Sequence, residues 1–213
     1  MTDVAQPELR GQLSRDTIIR TAIEMIERDG DDAVSMRRIA AELRYGVMSL
    51  YNHVPSKEAL LDAVAERVLG EFDFSADPGA DWRDQARALV RTFRQLSRRY
   101  PRSLNVVITR QLNSTVGLQP LEAALATARA AGFHGETAVR IMRAFVAYAL
   151  GSLVLSKARA DLHGHPDRVD AARFPNIAEL GTELMRIDPD ADFEFGLELL
   201  IGAVAGLARL PDD

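Results

Sequence analysis

The chain has 213 residues, 47% of them hydrophobic and 27% charged, the balance of an ordinary globular protein long enough to bury a real core. It contains no cysteine, which excludes disulfide scaffolds, cysteine–zinc sites, iron–sulfur clusters and thiol nucleophiles. The net charge of −5 argues against a nucleic-acid partner as a sum, yet within 35–57 the basic residues Arg37, Arg38, Arg44 and Lys57 face only Glu42, with His53 beside them. A local positive patch matters more for phosphate contact than the total.

The N-terminal residues carry no charged-then-apolar leader pattern. The longest apolar stretches, Ala144–Leu155 and Leu199–Ala208, fall short of the ~20 residues that span a bilayer. The sequence reads as that of a cytosolic protein with no membrane partner.

Helical periodicity runs through almost the whole chain, and no stretch sustains the two-residue alternation of a strand. Ser14 caps a first helix, with Asp16 in its first turn, Arg28 in its last and Gly30 ending it; Ile18, Ala22, Ile23 and Ile26 form its apolar stripe. A second helix follows Ser35, burying Met36, Ile39, Ala40 and Leu43. A short third helix runs through His53 and buries Val47 and Leu50. A fourth starts at the cap Ser56 with Ala59, Leu60, Ala63, Val64 and Val68 inside. Ser75–Asp81 is turn-rich and makes the best linker. A long helix from Trp82 to Tyr100-Pro101 comes next, then a looser segment, Ser103–Gln119, and a helix over Pro120–Ala131 closed by Gly132. The remaining expectations are a long helix over Gly135–Ala160, an irregular loop over Asp161–Asn176, and helices near Ile177–Arg186 and Phe193–Leu210.

Residues 36–55 have the layout of a helix-turn-helix. Two helices joined by a three-residue turn cross closely, so a small residue, Ala40, stands where they touch, and Ile39, Leu43, Tyr45 and Leu50 pack the pair. The second helix is left to present Met48, Ser49, Asn52 and His53 to a groove about as wide as a helix. Tyr51 and Lys57 flank that face as phosphate donors. An ordinary helical hairpin with a solvated polar face has the same spacing.

The segments Ser35-Met36-Arg37-Arg38-Ile39-Ala40-Ala41-Glu42-Leu43 and Met48-Ser49-Leu50-Tyr51-Asn52-His53-Val54-Pro55-Ser56-Lys57-Glu58-Ala59-Leu60-Leu61 closely resemble the N-terminal domain of the tetracycline-repressor (TetR) family. The likeness is strong over roughly 14–70 and continues more weakly through the Trp82 helix, Leu121–Leu125 and Phe193–Leu197. It implies an all-α fold, with a three-helix helix-turn-helix DNA-binding domain over 1–60 and a helical effector-binding and dimerisation bundle over 61–213. It implies a homodimer that binds a palindromic double-stranded DNA operator and leaves it when a small molecule enters the C-terminal domain. By position, Arg37, Val47, Met48, Ser49 and Asn52 stand where the family reads base edges or adjacent backbone, and Ser35, Tyr51, His53 and Lys57 where it holds phosphates. Arg37 suits a guanine edge, while Met48 and Val47 offer apolar contact only. One position departs: the family has glycine in the turn where this chain has Arg44, with Gly46 two residues later. Either residue 44 keeps a positive φ, or the turn is redrawn around Gly46.

Two C-terminal helices, containing Ile141–Leu155 and Leu199–Leu207, are apolar nearly all round and need cover on every side. Small residues at Ala144, Ala147, Gly151, Gly202 and Gly206 allow close approach, which predicts a two-fold four-helix interface between protomers. An effector pocket is expected among the helices starting at Trp82, Ser103, Pro120 and Gly135, with Phe93, Val107, Thr109, Arg110 and Tyr148 as candidates, although Phe93 and Tyr148 also suit a plain core. Tetracycline-binding members of the family place a magnesium-ligating histidine where this chain has Val106-Val107. Valine cannot ligate, so the resemblance implies that this mode is lost and that the effector is more apolar; Thr109-Arg110 matches the family there.

No cofactor or metal is expected. His163-Gly164-His165 lies in a predicted loop with no third ligand nearby, and His134 reads as an exposed cap. There is no phosphate loop or nucleophile elbow, and Arg110 alone makes no catalytic cluster, so the chain is not expected to be an enzyme. The leading expectation is a one-component regulator, most simply a repressor; the alternative is a helical small-molecule-binding or dimer-scaffold protein with a vestigial DNA-binding domain.

Overall fold

The computed structural model describes residues 13–75, 77, 79–160 and 169–208. Ten α-helices and two short 3-10 turns account for its regular structure, with no strand among the described residues. The helices are α1 (Arg15–Asp29), α2 (Met36–Leu43), α3 (Val47–Tyr51), α4 (Lys57–Leu69), α5 (Trp82–Arg99), α6 (Leu104–Arg110), α7 (Thr115–Ala130), α8 (Gly135–Ala160), α9 (Pro175–Met185) and α10 (Pro189–Leu207). The chain groups into two compact units, one drawn from Met1–Asp73 and Arg99–Gln119, the other from Phe74–Arg98 and Pro120–Asp213. The division expected at 60/61 falls inside α4, and the first unit also takes in α6.

In the first unit, serine side chains start three helices. Ser14, Ser35 and Ser56 accept the N–H groups of Thr17, Arg38 and Ala59 at 3.1, 3.2 and 3.1 Å, filling donors that a helix start leaves without partners. Gly30 ends α1 at φ 91°, which a side chain would resist. Ile18, Ala22, Ile26, Ile39, Leu50, Leu60, Val64 and Val68 are all at most 1% exposed and form the core of this unit.

The second unit is centred on Ala86, Val90, Ala149, Phe193, Leu197 and Ile201, with Trp82, Phe93, Phe145 and Tyr148 packed against them. α5 and α10 run antiparallel beside this core and are laced by charge. Arg87 meets Glu198 at 2.6 Å, Arg91 meets Glu194 at 2.6 Å, and Arg98 meets Asp190 at 2.7 Å. Arg94, almost buried, donates to the Pro189 carbonyl at 2.5 Å and lies over the Phe193 ring at 3.9 Å.

Several boundaries differ from the sequence reading. α3 stops at Tyr51, so Asn52 and His53 lie in the turn beyond it. The segment 103–119 is not loose: it holds α6, a 3-10 turn and the start of α7. α7 begins five residues before Pro120, which lies inside it, because Ser114 Oγ accepts the Gly117 N–H at 3.1 Å and its carbonyl accepts Leu118 N–H at 3.1 Å. α10 begins at Pro189, capped by Asp188, whose side chain accepts the Asp190 and Ala191 N–H groups. Residues Gly135–Leu155 of α8 are, by length and composition, long and apolar enough to cross a membrane, which the shorter run read from sequence is not. The motif His163-Gly164-His165 lies outside the described residues.

Candidate nucleic-acid interface and effector helices

The turn between α2 and α3 is closed without glycine. Arg44 takes φ 58°, ψ 38°; its N–H reaches the Ala41 carbonyl at 3.1 Å, and the Tyr45 N–H reaches Ala40 at 2.9 Å. This pair of bonds is the Schellman closure of a helix end, and it selects the first of the two turns left open by the sequence. Gly46 has φ −69°, open to any residue, and its carbonyl accepts the Ser49 N–H at 3.0 Å to begin α3. Leu50 and Val54 anchor α3 from below at 0% and 1% exposure, and Ala40 at 1% is the small residue beneath the crossing.

The opposite side of α3 is open. Met48 is 75% exposed and Tyr51 41%; Asn52 and His53 are exposed, while Val47, Ser49 and Lys57 are half-buried. The hydroxyl of Ser35 spends its oxygen on the α2 cap and keeps its hydrogen to donate. Two adjacent arginines take different roles. Arg38 donates from Nη1 to the Ala33 carbonyl at 2.7 Å and from Nη2 to Asp29 Oδ2 at 3.0 Å. Arg37 is exposed and has no hydrogen bond or ion pair among the described residues. The Arg28 guanidinium bonded to Asp29, with Arg38 alongside, holds the Asp29 carboxyl below its ordinary range.

α6 is clipped to α1 at one end and to α4 at the other. Glu27, near the end of α1, accepts the N–H of Arg102 at 3.2 Å and of Ser103 at 2.7 Å, placing a carboxylate at the α6 N-terminus. Asn105 donates to Asp31 at 2.8 Å, and Arg102 donates to the Arg28 carbonyl. At the far end Asp62 of α4 accepts from Arg110 Nη1 and from Asn113 Nδ2, both at 3.0 Å. The Asn113 bond, then the Arg110 guanidinium, hold the Asp62 carboxyl below its usual value against the cost of partial burial.

The residues expected to line an effector site are therefore already engaged. Val107 is 1% exposed, Thr109 donates to the carbonyl of Asn105 on its own helix at 2.8 Å, and Arg110 is committed to Asp62. Val106 and Val107, both buried, supply no donor for a magnesium ion. Phe93 and Tyr148 come together in the core of the second unit. The Tyr148 hydroxyl donates to the Phe193 carbonyl at 2.7 Å, and its ring stacks on Phe193 at 5.6 Å.

The five small residues of α8 and α10 are open. Ala144, Ala147, Gly202 and Gly206 are exposed and Gly151 half-buried, and a Cβ at Gly151, Gly202 or Gly206 would meet nothing within 4 Å. Around them Val154, Leu155, Leu199 and Leu207 are each more than half exposed. The sequence reading missed Glu27, Asp62 and the arginine ladder on α5. Only the last left a local signal, in the spacing of Arg87, Arg91, Arg94 and Arg98 against Asp190, Glu194 and Glu198.

Comparison with known families decides the assignment. Residues 18–64 match the model of bacterial regulatory proteins of the tetR family, and residues 75–209 match that of the tetracyclin repressor-like C-terminal domain. The chain belongs to the tetracycline-repressor family. It is 31% identical over 148 residues to an HTH-type transcriptional regulator from Saccharopolyspora erythraea, a match covering 70% of this chain and 63% of that protein. It is 30% identical over 211 residues to the class G tetracycline repressor protein of Vibrio anguillarum, covering 93% of this chain and 95% of that one. The TetR family protein ActR of Streptomyces coelicolor, solved in complex with actinorhodin, superposes with a TM-score of 0.77 at 28% identity, covering 94% of this chain and all of that one. A tetracycline-repressor family member is a helix-turn-helix transcriptional regulator, and α2–α3 is that motif here.

Proposed function

We propose that this chain is a one-component transcriptional repressor that binds a palindromic operator as a homodimer and is released by a small, chiefly apolar molecule. The observation that carries the reading is the α2–turn–α3 unit, with its packing side sealed by Leu50 and Val54 and its other side raising Met48, Ser49, Tyr51 and Asn52. Arg37, Val47, Met48, Ser49 and Asn52 read base edges or the adjacent backbone. Ser35, Tyr51, His53 and Lys57 hold phosphates on the flanks.

A two-fold dimer places two such helices about one duplex turn apart, ~34 Å, in successive major grooves. The exposed small-residue faces of α8 and α10, at Ala144, Ala147, Gly151, Gly202 and Gly206, pair across the two-fold axis and bury the apolar side that one protomer leaves open. An effector that binds better at another helix separation weakens DNA binding by its difference in affinity for the two states. Phe93 and Tyr148 provide its aromatic contacts. Arg110 ties α6 to α4, the helix that carries the reading head, so a shift of α6 reaches α4 through Asp62. No catalytic step is assigned, and the protein works in the cytoplasm, where its DNA is.

Selection from a random duplex library at two salt concentrations tests this reading. The expected result is a palindrome with half-sites about one turn apart. Its affinity falls with salt at a log–log slope near −4 to −5, as about five ionic phosphate contacts require. Sequence-blind binding, or none, would refute it.

A further inference from the structure

We propose that Arg44, the residue that closes α2, is a further DNA-backbone contact of this chain, its guanidinium holding an operator phosphate at the wall of the groove that α3 enters. The inference rests on the reading of α3 as the DNA-entering helix. It begins with the backbone. Among the described residues Arg44 is the one non-glycine with positive φ, a conformation that L side chains resist and glycine adopts freely.

The closure itself asks for no side chain. α7 ends with the same two bonds, Gly132 N–H to Arg129 at 2.9 Å and Phe133 N–H to Ala128 at 3.1 Å, and there the positive-φ place is filled by Gly132. Nor does packing ask for one, since Arg44 is exposed and its guanidinium makes no hydrogen bond or ion pair among the described residues. Its neighbours in the same unit differ. Arg28 is engaged with Asp29 and Glu42, and Arg38 with Asp29 and the Ala33 carbonyl. A strained residue that contributes nothing visible to the protomer points to a partner outside it.

The position identifies that partner. Arg44 stands three residues before Val47, the first residue of α3. A helix seated in a groove ~12 Å wide brings the turn that precedes it to the groove wall, where the phosphates run. A planar fork of donors suits a phosphate there, and an unpaired cation has no internal bond to give up first. Arg37 at the start of α2 and Lys57 at the start of α4 are cations of the same surface that form no ion pair among the described residues.

The test uses the full-length chain, its Arg44→Gly and Arg44→Lys variants, and the labelled duplex that the wild type enriches from a random library. Anisotropy titrations between 50 and 300 mM salt give affinity and salt slope, and thermal unfolding gives stability. Arg44→Gly is expected to raise the thermal midpoint by a few degrees, while its operator affinity drops on the order of tens-fold at 0.1 M salt. The magnitude of its log–log slope falls by about 1.8, one phosphate from each half-site. Arg44→Lys keeps most of the slope. A glycine variant that binds with wild-type affinity and slope would overturn the proposal, as would a lysine variant as weak as the glycine one. A wild type that enriches no duplex would instead sink the repressor reading, and this proposal with it.

Discussion

The hydroxyl of Tyr148 occupies the space that a side chain at Gly196 would need: a Cβ built on residue 196 lies 2.4 Å from that oxygen and 2.7 Å from the ring carbon that bears it. The tyrosine fits α10 only because residue 196 has no side chain, and in that place its hydroxyl reaches the Phe193 carbonyl.

Gly196→Ala therefore forces Tyr148 out of its seat. Alanine gains up to about 1 kcal/mol in a helix interior, but overpacking of this kind costs about 1–3 kcal/mol. The net expectation is a thermal midpoint lowered by several degrees. In a Tyr148→Ala background the same substitution loses its clash and becomes neutral or stabilising, which a double-mutant cycle read by denaturant unfolding will show.

Asp62 makes stability depend on pH. Its folded carboxyl is held below its ordinary value by Asn113 and Arg110. The ionised form therefore stabilises the fold at pH above the unfolded value of about 4, and that contribution is lost as pH falls through the lower folded value. Asp62→Asn is expected to lie on the order of 1 kcal/mol below the wild type at pH 6–7 and to converge with it toward pH 2–3. Urea titrations across that range measure the gap.

Arg37 and Arg38 separate reading from folding. Arg37→Ala leaves unfolding unchanged within about 0.5 kcal/mol and weakens operator binding by about 10–100-fold, with relaxed preference at one base pair. Arg38→Ala loses its bonds to Ala33 and Asp29 and lowers stability, with no change in the base preference. Anisotropy on single-substitution operators distinguishes the two.

Ala147 and Gly202 report on assembly. Both are exposed in the protomer, so Ala147→Glu and Gly202→Glu leave the helical content intact. They place carboxylates in the proposed apolar interface, where burying a charge is costly. Light scattering at micromolar concentration is expected to show the wild type at twice the chain mass and both variants at the chain mass.

The helices of the DNA-binding part were legible because their boundary signals are local. Ser14, Ser35, Ser56 and Gly30 lie within four residues of the groups they satisfy. α6 was not legible for the opposite reason. Its run Val106-Val107-Ile108-Thr109 is β-branched and favours helix poorly. What holds it is a carboxylate from Glu27 and an aspartate from Asp62, far away in the chain. Pro120 misled in another way: as a helix start it is a good signal, yet Ser114 starts α7 earlier and the helix carries the proline inside. At the candidate interface, residue types and spacing marked α3, but only the backbone of Arg44 could show which turn leads into it.

The charged rungs between α5 and α10 have a consequence for how these helices find their alignment. Slide α10 by one turn, ~5.4 Å, and Arg91 faces Glu198 while Arg98 faces Glu194, so two of the three acid–base rungs re-form one step along. The ladder behaves like the graduations of a scale, setting the interval between permitted alignments without choosing one. Gly196 is the mark that chooses. The residues one turn either side of it are Asp192 and Leu200, and neither leaves room for the tyrosine of α8. Coarse spacing is thus set between α10 and α5 and fine phase between α10 and α8, and a change that removes the glycine releases a misaligned state that the arginines would still tolerate.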